Sequence, residues 1–116
     1  MHWKIDSSLQ IVIVGLGYVG LPTAVAFSKK YKTIGVDVNQ KRVDELNQGI
    51  DSKNIVKQES LKNNAALVFQ HHLPTNKQRT VFIVTVPTPV NNEKEPDLSF
   101  LEAATSSISS VLKKGD

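Results

Sequence analysis

Leu9-Gln10-Ile11-Val12-Ile13-Val14-Gly15-Leu16-Gly17-Tyr18-Val19-Gly20 is the stretch from which the fold can be read. Its first half is apolar and rich in β-branched residues, the pattern of a buried strand, and predicts a strand over 9–14. Its second half is G-x-G-x-x-G. Gly20 opens an amphipathic segment that predicts a helix over 20–31, in which Pro22 is tolerable only because it falls in the first turn. A strand running through such a loop into a helix presents backbone N–H groups at a helix N-terminus, where the dipole favours negative charge. Each glycine has a distinct task. Gly15 permits the tight turn, Gly17 lets the backbone approach a pyrophosphate, and Gly20 lets the helix pack on the strand.

A glycine motif alone is weak evidence, so the surroundings carry weight. A second strand is predicted over 33–38. Asp37 stands at its end, about 20 residues past the glycines, where a dinucleotide site needs an acid for the adenosine ribose hydroxyls. The same charge repels a 2′-phosphate, so Asp37 favours NAD over NADP. Arg42 falls one turn into the next helix. It is either within reach of the ribose or adenine edge or part of a solvated face.

The remaining chain alternates in the same way. A helix is predicted over 39–48, with Val43 and Leu46 inward and Gly49 as its stop. A turn over 50–54, a short helix over 56–63 and a weaker strand over 66–70 follow. Residues 71–79 then lead to a strand over 80–86. The last helix, over 98–112, carries an apolar stripe of Leu98, Leu101, Ile108, Val111 and Leu112. Asp97 or Ser99 can cap it, with Glu102 at capping-box spacing from Ser99, and Gly115 ends it. This alternation implies an α/β fold, a Rossmann-type parallel sheet of about four strands in the order 3-2-1-4 with helices on both faces.

Composition bounds the partners. The chain has 116 residues, 40% apolar and 22% charged, with a net charge of +3. These are ordinary values for one globular domain. The basic residues are scattered and aromatics amount to 6%, which argues against nucleic acid as a partner. There is no cysteine, hence no disulfide and no thiolate site in this segment. No apolar run approaches the ~20 residues of a membrane helix, nor does the N-terminus have a signal-peptide core, so a cytoplasmic location is the expectation. His71-His72 are strand neighbours pointing to opposite faces with no third ligand apparent, and they are set aside as a metal site. Trp3 is expected to pack on the outer surface.

Three motifs together resemble one family. Gly15-Leu16-Gly17-Tyr18-Val19-Gly20-Leu21-Pro22, Val86-Pro87-Thr88-Pro89 and Glu95-Pro96-Asp97-Leu98-Ser99 resemble the glycine loop, the V-P-T-P loop and the P-D-L helix start of the UDP-glucose/GDP-mannose dehydrogenases. The resemblance covers the chain from Leu9 to Asp116. Gly49-Ile50-Asp51 and the P-D-L segment look most like the branch acting on UDP-N-acetylhexosamines or their uronates. Read physically, the two prolines of the V-P-T-P loop stiffen the chain where it leaves the sheet, at the topological switch point where cofactors lie. Candidate cofactor contacts are therefore Gly15, Gly17, Tyr18, Val19, Gly20, Asp37, Arg42, Val86, Pro87 and Thr88. Tyr18 either sets its ring against the cofactor or packs on the sheet edge.

The resemblance implies a parent enzyme that oxidises the C6 alcohol of a UDP-sugar to a carboxylate with two NAD. Such chemistry implies a cysteine that holds the aldehyde-level intermediate, and none is present here. Residues 1–116 are accordingly expected to be a partial N-terminal dinucleotide-binding domain, without the substrate and C-terminal domains, without catalytic residues and inactive by itself. The parent is expected to be a homo-oligomer. Two other readings stand beside this one. The first is the NAD-binding domain of a β-hydroxyacid-type dehydrogenase, against which the V-P-T-P and P-D-L motifs argue. The second is a stand-alone nucleotide-binding or regulatory module.

Overall fold

The computed structural model describes residues 5–116; the surface position expected of Trp3 lies outside them. Four short strands, β1 (Gln10–Val14), β2 (Lys32–Val36), β3 (Leu67–Gln70) and β4 (Thr80–Val84), form one sheet in the order β3-β2-β1-β4. Every pairing is parallel, with Val12 opposite Ile34 on one side and Phe82 on the other. The expected order is the observed one. The helices are α1 (Gly20–Phe27), α2 (Gln40–Asn47), α3 (Gln58–Leu61) and α4 (Ser99–Val111).

Strand periodicity sorts the core into two faces. Ile11 and Ile13 of β1 join Leu21 and Ala24 of α1, Val43 and Leu46 of α2, Leu61 of α3 and Phe69 of β3 in the larger cluster. Val12 faces the other way and packs with Ile34 and Val36, against half-buried Val14, Leu73 and Phe82. α4 lies beside β4. Ala104 is its one buried residue; Leu98, Leu101 and Leu112 of the apolar stripe are exposed, as is Phe100. Thr105, Ile108 and Leu112 line a groove of about 470 Å³ with Val81, Phe82 and Val84.

Several boundaries differ from expectation for local reasons. α1 stops at Phe27 because the Ser28 hydroxyl donates back to the Val25 carbonyl, and tighter i→i−3 bonds from Lys29 and Lys30 close the end. β2 stops at Val36, since the Asp37 carboxylate turns to accept the Asn39 N–H. α4 has no Ser99–Glu102 capping box. The Asp97 carboxylate accepts the Ser99 N–H instead, and Ser99 is already helical. Residues 71–79 contain no helix, as the short span between β3 and β4 requires.

Candidate dinucleotide-binding site

The glycine loop sits at the carboxyl end of β1, between the ends of β2 and β4. Its conformation is enforced by close packing. Gly15 has φ +100°, and a Cβ there would lie 2.8 Å from the Thr85 carbonyl oxygen. A Cβ on Gly20 would lie 1.7 Å from the Gly15 carbonyl oxygen. Gly17 is different, for a Cβ there would meet nothing within 4 Å. Close fit therefore requires the outer two glycines, whereas the middle one borders open space. That is the arrangement a ligand backbone needs if it is to touch the loop at Gly17.

The donors beside that space are uncommitted. Among the described residues, no hydrogen bond is donated by the N–H of Gly17, Tyr18, Val19 or Gly20, while the Gly17 and Val19 carbonyls begin the helix ladder by accepting from Leu21 and Thr23. α1 has no side-chain cap and no acid in its first turn. The helix thus presents its orphan N–H groups and the positive end of its dipole to whatever occupies the space. The Tyr18 side chain is 77% exposed and is not packed on the sheet edge.

Leu16 anchors the loop in three ways. Its side chain is buried beneath Gly35, where a Cβ would come within 2.8 Å of it. Its N–H donates to Asp37 Oδ2 at 3.0 Å. Its carbonyl accepts from Arg42 Nε at 3.1 Å and Nη2 at 2.9 Å. Asp37 also accepts the Asn39 N–H at 2.9 Å, and Asn39, not Asp37, caps α2 by accepting the Arg42 N–H. A carboxylate offers about four lone-pair sites, so Asp37 keeps acceptor capacity for hydroxyl donors.

Arg42 does not lie on a solvated face, one of the two placements that its sequence position allows. Its side chain is 4% exposed, and its guanidinium is committed to the Leu16 carbonyl and, at 2.7 Å, to Asp51. Asp51 is buried as well and accepts the Ile55 and Val56 amides at 2.6 and 3.0 Å. Burial raises its pKa, but the Arg42 guanidinium and those amides outweigh burial and hold it below the ordinary value.

Two functional neighbours escaped the sequence reading. Thr85 donates its hydroxyl to the Gly15 carbonyl at 2.8 Å and its N–H to the Val14 carbonyl, tying the end of β4 to the loop. Asp51, part of the Gly49-Ile50-Asp51 motif, is the other, through its ion pair with Arg42. Beyond Thr85, half-buried Val86 and exposed Pro87 and Thr88 lead into a small antiparallel bridge of Val90 with Pro96, closed by a turn in which the Asn91 side chain accepts the Glu93 and Glu95 amides. His71 and His72 lie just past the end of β3, and their rings meet edge-on with centroids 4.9 Å apart, so the expected placement on opposite faces of a strand does not hold. Among the described residues no group of three or more His, Asp or Glu is placed to hold a metal ion, and no helix is long and apolar enough to cross a membrane.

The fold and this site define a dinucleotide-binding domain. Residues 9–116 match the model of the UDP-glucose/GDP-mannose dehydrogenase family, NAD binding domain. The chain belongs to that family, and its cofactor is NAD. It is 52% identical over 108 residues to the UDP-N-acetyl-D-glucosamine 6-dehydrogenase of Pseudomonas aeruginosa, covering 93% of this chain and 26% of that protein. With the UDP-N-acetyl-D-mannosamine dehydrogenase of Yersinia pestis it shares 46% identity over 110 residues, 91% of this chain and 26% of the relative. The structure of the UDP-N-acetyl-mannosamine dehydrogenase Cap5O from Staphylococcus aureus superposes with a TM-score of 0.77 at 33% identity, over 92% of this chain and 27% of that one. The chain thus spans about a quarter of the length of the relatives it matches.

Proposed function

We propose that this chain is the NAD-binding portion of a nucleotide-sugar 6-dehydrogenase acting on a UDP-N-acetylhexosamine. The observation that carries the reading is the pairing of open space at Gly17 with the uncommitted N–H groups of residues 17–20, flanked by the Asp37 carboxylate. In this reading Gly17, Tyr18, Val19 and Gly20 offer backbone donors to the pyrophosphate, and Gly15 supplies the turn. Asp37 accepts the adenosine ribose hydroxyls, and Val86, Pro87 and Thr88 wall the side toward the nicotinamide. Arg42 contributes through the Leu16 carbonyl. Bound NAD would supply a hydride acceptor, and two such oxidations, with one water adding at the aldehyde stage, would carry a C6 alcohol to the carboxylate. The identities of 52% and 46% to enzymes named for UDP-N-acetylhexosamines support that substrate class.

The 116 residues contain no cysteine to hold an aldehyde-level intermediate, so this segment is expected to bind NAD without turning over a sugar. The test uses the complete reading frame that carries the segment. Its product should reduce two NAD per UDP-N-acetylhexosamine, while the segment alone yields no NADH. Steady NADH formation by the segment alone, or none by the complete product with any UDP-sugar, would contradict the proposal.

A further inference from the structure

The glycine loop is held from a distance. Arg42 lies on α2, and its partner Asp51 lies beyond the Gly49 turn, in a segment that contributes nothing to the open space at Gly17. The planar guanidinium grips two objects at once. Its Nε and Nη2 edge holds the Leu16 carbonyl at 3.1 and 2.9 Å, and Nη1 meets Asp51 at 2.7 Å. Asp51 is itself fixed by the amides of Lys53, Ile55 and Val56, at 3.1, 2.6 and 3.0 Å. Glu45 also approaches Nη1, at 3.4 Å.

The bond to Leu16 has a consequence for the loop. Gly20 is the first residue of α1, so its N–H has no partner within the helix. Two bonds from the guanidinium fix the Leu16 carbonyl, and with it the backbone that leads into these open N–H groups. A buried guanidinium with only a neutral carbonyl partner would be costly. Asp51, at 2.7 Å, is the nearer and more buried of the two anions, with Glu45 at 3.4 Å, that keep Arg42 inside and the Leu16 carbonyl engaged. Resting on the assignment of this loop to the NAD pyrophosphate, we propose that Asp51 is a positioning residue for the dinucleotide site: through Arg42 it fixes the Leu16 carbonyl, and with it the loop backbone whose N–H groups at residues 17–20 face the cofactor.

The test is made on the 116-residue chain with NAD as the probe. Wild-type titration comes first; failure to bind NAD there sinks the cofactor assignment, and with it the role given to Asp51. Given wild-type binding, Asp51→Asn and Arg42→Lys, each measured well below its melting temperature, should weaken NAD roughly tenfold, the loss expected when one charge-assisted contact is removed. The Gly17 and Gly20 amide resonances should move in the same variants without ligand. Leu67→Ala, which removes core volume far from the loop, should lower the melting temperature and leave NAD affinity alone. Unchanged affinity in a folded Asp51→Asn or Arg42→Lys, or an equal loss in Leu67→Ala, would overturn the proposal. If neither variant folds, the wild type decides. Coupling is reciprocal, so saturating NAD should slow hydrogen exchange at Arg42 Nε, and an unchanged rate would refute the link.

Discussion

A Cβ on Gly20 would stand 1.7 Å from the carbonyl oxygen of Gly15, and 2.4 Å from the Thr85 hydroxyl. The two glycines are a single packing unit that brings α1 onto the end of β1. Gly20→Ala should therefore destabilise the domain by about 3 kcal/mol, the upper end of ordinary overpacking, because the obstructing atoms are backbone. Gly17→Ala should change stability by less than about 0.5 kcal/mol, as substitutions into open space do. Gly17→Phe should leave the far-ultraviolet circular dichroism intact and abolish NAD binding. Chemical denaturation with calorimetry on the three variants checks both halves.

Asp37 is expected to set cofactor choice in the proposed site. Asp37→Asn keeps an acceptor for the Leu16 N–H but removes the charge facing the ribose edge. NADP should gain on NAD by roughly tenfold in relative affinity, the factor that corresponds to about 1.4 kcal/mol of charge repulsion removed. Parallel titrations of wild type and variant measure the ratio. An unchanged ratio would remove the specificity role of Asp37.

How far these features were legible in the sequence depends on their range. The strands, the glycine loop and Asp37 are local patterns: β-branched runs, positions that admit no Cβ, and an acid at a strand end. Their order fixes the sheet, because parallel neighbours joined by right-handed crossovers leave few alternatives. Arg42 could not be read this way. Its periodicity allows a solvated face, and its burial depends on Asp51, brought back by the turn at Gly49 with φ +77°. Thr85 was hidden for the same reason, since its partner, the Gly15 carbonyl, is 70 residues away in sequence. The stripe on α4 was legible as a pattern, but most of its large side chains lie exposed, since a moment states which face is apolar and not what meets it.

Acid should unfold the domain through its buried carboxylates. Asp51 and Asp116 both have folded pKa values below the ordinary 3.8, despite burial that acts in the opposite direction. Arg42 and the turn amides lower Asp51. Asp116 is lowered by Lys113, at 2.8 Å from its Nζ, and by the Thr80 N–H at 2.9 Å. A depressed folded pKa contributes stability that is complete above the unfolded value and is lost as the pH falls through the folded one. Stability should hold steady above about pH 5 and fall progressively below pH 4. Melting temperatures across pH 2–7 test this, and Asp51→Asn should flatten part of the slope.

β4 pairs with β1 on one side only among the described residues. Its N–H groups alternate, and the outward one at Thr80 is taken by the Asp116 carboxylate. The outward groups at Phe82 and Val84 are left as a template for another strand, next to an α4 whose Phe100, Leu101 and Leu112 are exposed. The chain should therefore self-associate through this edge as its concentration rises, giving a weight-average mass above the 12.8 kDa of one chain. Light scattering over a concentration series is the check, and a Val84→Lys variant should restore the monomer.

Calorimetric titration of the 116-residue chain with NAD and with NADP tests the dinucleotide site most directly. Saturable binding of one NAD per chain is expected, lost in Gly17→Phe, with NADP weaker than NAD. Absence of NAD binding by the folded chain, or tighter binding of NADP, would contradict the assignment of the site.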